Sequence, residues 1–93
     1  MPPIADDVRV SRPSDTVASS VDDQVVILQI SSGHFFHLND GGSRIWDLLD
    51  RPMTVGDVCA ALSDRYEVEP ETCRRDVAEF VELMSAKGLL ELG

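Results

Sequence analysis

The spacing of apolar and polar residues changes character twice along the chain. From Thr16 the pattern alternates, placing Val17, Ser19 and Val21 on one face of a strand. Asp22-Asp23 interrupts it with turn chemistry, because Asp tolerates turn geometry and bonds to nearby amides. Residues 24–30 (QVVILQI) are apolar and rich in β-branched side chains, too short for a helix and bounded by turns. Ser31-Ser32-Gly33 reverses the chain again, and residues 34–38 make a third strand. Three strands joined by short turns, with no long crossover, predict an antiparallel meander.

Beyond residue 38 the period becomes that of a helix. Asn39 or Asp40 caps a segment in which Ile45, Leu48 and Leu49 follow i, i+3, i+4 spacing beside Trp46. Arg51-Pro52 closes it, because a residue preceding proline is pushed out of the helical region. Thr54 opens a second helix with Asp57 in a capping-box arrangement, and Val55, Val58, Cys59 and Leu62 form its stripe up to Tyr66. A third begins at Glu69-Pro70 and runs to about Lys87, where Gly88 supplies a left-handed cap. Cys73, Val77, Phe80, Val81 and Met84 share one arc of it. Leu89, Leu90 and Leu92 then form an extended tail that adds to the sheet or packs beneath it. The expected fold is α+β, a winged helix-turn-helix in which a three-stranded antiparallel meander precedes three helices. Its core should include Ile45, Trp46, Leu49, Leu62, Val77 and Phe80. The domain is expected over residues 14–93, after a flexible lead-in over residues 1–13 where Val8 and Val10 could make a short pairing.

Charge and composition narrow the function. A chain of 93 residues holds one modest core. Its 17 acidic against 8 basic residues, net -9, oppose binding to nucleic acid, which needs clustered cations. Winged helices often read DNA, so a DNA-binding regulator is the alternative of another class. Against it, the third helix sets Glu71, Asp76, Glu79 and Glu82 against only Arg74, Arg75 and Lys87. No apolar run approaches the ~20 residues that span a bilayer. The first residues have neither the basic nor the apolar part of a signal peptide, so a cytoplasmic protein without a membrane partner is expected.

Catalytic chemistry finds no foothold. Cys59 and Cys73 lie within helical patterns without a CxxC pair, and read as small buried hydrophobes rather than a zinc site or disulfide framework. His34 and His37, three apart on a strand, point to opposite faces and cannot chelate one metal together. No nucleophile stands with a base and an orienting group. A non-enzymatic protein with no cofactor and no metal is expected.

What remains is an edge. In a three-stranded meander the third strand leaves one side unpaired, and proteins usually guard such edges with lysine, proline or a bulge. This one carries Phe35 and Phe36 and neither guard. If Leu38 faces the core, Phe36 and His34 share its side while Phe35 and His37 face away. An extended peptide can add itself there, main-chain bonds giving affinity and side-chain pockets giving register. On the third helix Val77, Phe80, Val81 and Met84 could form the other wall, with Arg74 at its shoulder for an acidic residue of the peptide.

The run Gly33-His34-Phe35-Phe36-His37-Leu38-Asn39, then Ile45-Trp46-Asp47-Leu48-Leu49, then Lys87-Gly88-Leu89-Leu90, resembles the PqqD-type fold. The resemblance extends from about Val25 to Leu92. It implies recognition of the leader segment of a ribosomally made precursor peptide, received as an extra strand between the third strand and the third helix. The implied site comprises His34, Phe35, Phe36, His37, Leu38, Arg74, Val77, Phe80, Val81 and Met84, and the implied partners are that leader and a leader peptidase or other modifying enzyme. Without a fused catalytic domain, the chain is similar to freestanding leader-binding proteins of lasso-peptide pathways. The other relative implied is the PqqD-type peptide chaperone of pyrroloquinoline quinone formation.

Overall fold

The computed structural model describes residues 4–93. Six strands and three helices follow in the order β1 (Arg9–Ser11), β2 (Thr16–Val21), β3 (Gln24–Gln29), β4 (His34–His37), α1 (Asp40–Leu48), β5 (Met53–Thr54), α2 (Val55–Arg65), α3 (Pro70–Ala86) and β6 (Glu91–Leu92). The expected α+β winged helix arrangement is present, with β2–β3–β4 as the antiparallel meander. Asp22 and Asp23 take φ of 52° and 66°, the left-handed pair that a two-residue hairpin turn demands. Gly33, at φ 72°, turns the next hairpin.

Helix ends match their sequence signals. Asn39 is the cap of α1 and accepts from the Gly42 amide at 2.8 Å. Thr54 and Asp57 form a reciprocal capping box, and Pro70 occupies the first turn of α3. Gly88, at φ 75°, ends α3 and lets the Leu89 amide reach the Met84 carbonyl at 2.8 Å.

Two expectations are corrected. Residues 9–11, assigned to a loose lead-in, form the central strand of a second sheet in the order β5-β1-β6. Val10 faces Met53 on one side and Leu92 on the other, and is fully buried. An apolar residue with partners on both edges cannot be part of a solvated tail. Residues 1–3 of that lead-in lie outside the described residues. In the tail after α3, Leu89 and Leu90 are buried, as expected of a tail packed beneath the sheet, but Glu91 and Leu92 join this second sheet rather than the meander, and Arg9 and Gly93 exchange backbone bonds at 3.1 and 2.9 Å.

One core unites the layers. Val25 and Ile27 of β3 and Leu38 meet Ile45, Trp46 and Leu49, then Val58 and Leu62 of α2 and Val77, Val81 and Met84 of α3. Ile45, Trp46, Leu49, Leu62 and Val77 are buried as expected, whereas Phe80 is only half-buried.

A buried hydroxyl links the meander to α1. Ser43, 2% exposed, accepts from the Val25 amide at 2.8 Å and donates to the Leu38 carbonyl at 3.3 Å. Ser43→Ala strands a buried donor and a buried acceptor, and should cost about 1–3 kcal/mol in urea unfolding. The melting temperature should fall by several degrees; an unchanged value would refute the bridge.

Cys59 and Cys73 are both free thiols, on α2 and α3. Burial pushes the Cys59 thiol up from 9.0 to about 11, and its hydrogen-bonded neighbour Cys73 adds to the rise. The folded state therefore holds a proton that the unfolded chain releases first. Any stability from this thiol is whole below pH about 9 and is lost as pH climbs to about 11. Unfolding free energy measured across that range should decline more steeply in the native protein than in Cys59→Ala.

Candidate functional site

Among the described residues strand β4 pairs with β3 alone, in the register Val26↔His37, Ile27↔Phe36, Leu28↔Phe35 and Gln29↔His34. The Leu38 amide donates to Val25 at 2.8 Å, which sets the phase of the ladder. In antiparallel strands the bonding direction alternates, so Phe36 and His34 also turn their backbone groups toward β3. The amides and carbonyls of Phe35 and His37 point outward to the unpaired side. The edge thus offers two residues for strand addition, and Phe36 contributes its ring rather than its amide.

Side chains alternate as well. Phe36 and Leu38 face inward beside Ile27 and Val25, as the period of two requires. Phe35 lies on the opposite face, 71% exposed, next to Leu28 and in line with Val17. His34 meets Phe36 edge-on, ring centroids 6.5 Å apart at 77°.

Across the free edge stands the C-terminal half of α3. A cleft of about 230 Å³ runs between them, walled by Phe36, His37, Leu38 and Asn39 on one side and by Phe80, Leu83, Met84 and Lys87 on the other, with Leu89 beneath. Lys87 holds its ammonium 5.8 Å from the Phe36 ring, and its carbonyl accepts from the Gln29 side chain at 3.0 Å. The cleft continues into a second hollow of about 320 Å³ toward α1, bordered by Gly42, Ile45, Asp76 and Glu79. Phe80 divides the two. Its ring lies so close to Gly42 that a β-carbon there would stand 2.9 Å from it.

The anticipated residues separate into three groups. His34, Phe35, Phe36, His37 and Leu38 are together on or beside the edge, and Phe80 and Met84 reach the cleft. Val77 and Val81, 0% and 1% exposed, face the core, and Met84, 2% exposed, shows the cleft only its margin. Arg74 points elsewhere and pairs with Asp6 at 2.8 Å. It lies six positions before Phe80, about 120° round the helix from it. Four lining residues escaped the sequence reading: Asn39, Leu83, Lys87 and Leu89. Leu83 carried a usable signal, since an apolar residue one position off a helix stripe, 57% exposed in the structure, faces something other than the core.

The cleft contains no thiol, and among the described residues no cluster of His, Cys, Asp and Glu could hold a metal ion. No helix is long and apolar enough to cross a membrane among those residues.

Comparisons with known proteins agree with this geometry. No curated protein matches the chain in sequence. Among solved structures, TbiB1 in complex with the TbiA(beta) leader peptide is 33% identical and superposes with a TM-score of 0.80, over 87% of this chain and 94% of that one. A lasso peptide synthetase B1 complexed with its leader peptide is 29% identical, with a TM-score of 0.75 over 88% and 96%. The PqqD truncation of Methylobacterium extorquens PqqCD, a ribosomal-peptide recognition element, shares the fold at 20% identity, with a TM-score of 0.74 over 89% and 88%. The family model for coenzyme PQQ synthesis protein D matches residues 24–90, which run from the first residue of β3 through α3 to Leu90. With the meander's open edge, the cleft and the closing helix all inside that match, the chain belongs to the PqqD family.

Proposed function

We propose that this protein recognises, without catalysis, the leader segment of a ribosomally synthesised precursor peptide, and that the leader adds as a fourth strand beside β4. The observation that carries this is the free edge of β4 facing an apolar cleft. Phe35 and His37 supply main-chain partners, while Phe36, Leu38, Phe80 and Leu83 receive side chains. Main-chain pairing is blind to sequence, so selectivity rests on the cleft. Lys87 at its margin favours a leader carboxylate.

The lasso-peptide reading is favoured over the pyrroloquinoline quinone one, because the lasso peptide synthetase B1 bound to a leader peptide shares 29% identity with this chain against 20% for the PqqD truncation. In this reading the bound leader is delivered in the cytoplasm to a separate leader peptidase. A DNA-binding role fits poorly, because α3 buries Val77 and Val81 and exposes acidic residues to any phosphate.

The decisive experiment titrates the protein with a labelled leader segment of the precursor encoded beside it, and with duplex DNA. Saturable binding of the peptide alone is expected, together with slowed amide exchange at Phe35 and His37 but little change at Phe36, already bonded to β3. Binding that leaves both outward amides unprotected would exclude strand addition.

Truncation separates wall from core. Leu83→Ala removes an exposed contact and should weaken leader binding about tenfold or more, leaving stability within about 0.5 kcal/mol. Met84→Ala instead opens a cavity and should cost about 2–5 kcal/mol of stability. Parallel affinity titrations and urea unfolding check both; a stability loss at Leu83 equal to that at Met84 would place Leu83 in the core.

A further inference from the structure

We propose that β2, the other free edge of the meander, docks an extended segment of a partner protein that is uncharged along its middle and basic at one end. The site is separate from the cleft beside β4, and stands whether or not the leader binds there.

Among the described residues, strand β2 is bonded only to β3. The Ile30 amide donates to the Asp15 carbonyl at 2.8 Å, so by alternation Val17, Ser19 and Val21 bond to β3. The backbone groups of Thr16, Ala18 and Ser20 therefore face outward, unpaired. Between Thr16 and Val21 there is no charge and no proline to discourage pairing.

A second observation marks the same edge. A hollow of about 110 Å³ beside Ala18 and Ser20 is bordered by Arg12, Trp46 and Asp47. Trp46 is 2% exposed, yet among the described residues its indole Nε1–H has no hydrogen-bond partner, and neither has Arg12 Nε, whose guanidinium stacks 4.7 Å from the indole ring. Buried donors are rarely left unmatched in folded proteins. An acceptor arriving with a paired strand would satisfy them. With the Asp47 carboxylate alongside, a neutral acceptor is preferred to an anion, so an amide or hydroxyl side chain belongs at the centre of the docked segment.

Charge selects the occupant. Asp22, Asp23, Asp40 and Asp47 surround a polar hollow at the Val21 end, with Arg44 as its one cation. That end attracts Lys or Arg. A second copy of this chain is disfavoured, because β2 is flanked by Asp15 and by Asp22-Asp23. Antiparallel self-pairing brings those carboxylates together between two chains of net charge -9.

The chain's one tryptophan gives a single indole resonance to follow. The probe is a blocked peptide of alternating Thr and Val about a central Asn, with Lys at one end, added to the isotope-labelled full chain. Expected are a shift of the indole proton and at least tenfold slower exchange at Ala18 and Ser20, with Phe35 and His37 unaffected. A peptide with Glu in place of Lys should bind at least tenfold more weakly at low salt. Ala18→Pro removes an outward donor while sparing the β3 ladder, and should abolish the response. Should that variant misfold, Asp22→Asn with Asp23→Asn keeps the left-handed turn and should erase only the preference for Lys. The proposal is overturned if the indole and Ala18 do not respond, or if the peptide protects Phe35 and His37 instead. It is equally overturned if Ala18 and Ser20 become protected with rising protein concentration alone, which would make a second copy the occupant.

Discussion

The hydroxyl of Ser43 is the point on which the rest of the structure turns. Val25 and Leu38 occupy a ladder position at which two strands would ordinarily exchange both amide bonds. Here only the Leu38 amide reaches its partner directly, and Ser43 takes the place of the second bond by accepting from Val25 and donating to Leu38. The chain can therefore leave the sheet at Leu38 without orphaning a buried amide. It enters α1 at once, with Asn39 capping the first turn and the Ser43 amide returning to Asn39 at 2.8 Å. A hydroxyl does this well because it accepts and donates together.

That junction decides the shape of the cleft. Pinning the first turn of α1 against β3 sets Gly42 opposite Phe80, where the missing side chain lets the aromatic ring lie against helix backbone. The ring then forms a partition between two hollows instead of filling the first. Helix α3 is held mainly by α2, not by β4, so its C-terminal half stands across the edge without closing on it. The cleft is the gap left when a helix is fixed by a neighbour other than the strand it faces. A leader strand occupying it would satisfy the outward backbone of Phe35 and His37 and cover Leu83 in one step.

Much of this was legible in the residues because local rules governed it. The Asp22-Asp23 turn, the Thr54–Asp57 box, Pro70 and Gly88 each act within a few positions of themselves, and each lies where its chemistry required. The second sheet was not legible. Val10 carries the same alternation as any short edge segment, and only its pairing with Met53 and Leu92, far along the chain, makes it core. The helix wall of the candidate site was only partly legible, for a related reason. A helical stripe predicts what faces the core, so Val77 and Val81 were natural choices, yet a cleft is lined by the residues flanking that stripe. Arg74 had an exposed position and the right charge, but its partner Asp6 comes from the N-terminal segment, which no local pattern connects to α3.

A protein that keeps two sheet edges unpaired must avoid pairing them with copies of itself. Neither β2 nor β4 contains lysine or proline, the common deterrents. Protection comes from elsewhere. Strand β4 has four residues, too short to anchor a stable pair alone, and the wall of α3 stands across it so that only a single extended chain, not a second sheet, can approach. Strand β2 is longer but bracketed by carboxylates, and a chain of net charge -9 repels its own copies at long range. If both proposed sites are used, the features that disfavour self-pairing also select the guests: a lone peptide strand at β4, and a segment bringing positive charge at β2. The acidity that argues against nucleic acid thus acts as a filter on which strands may pair.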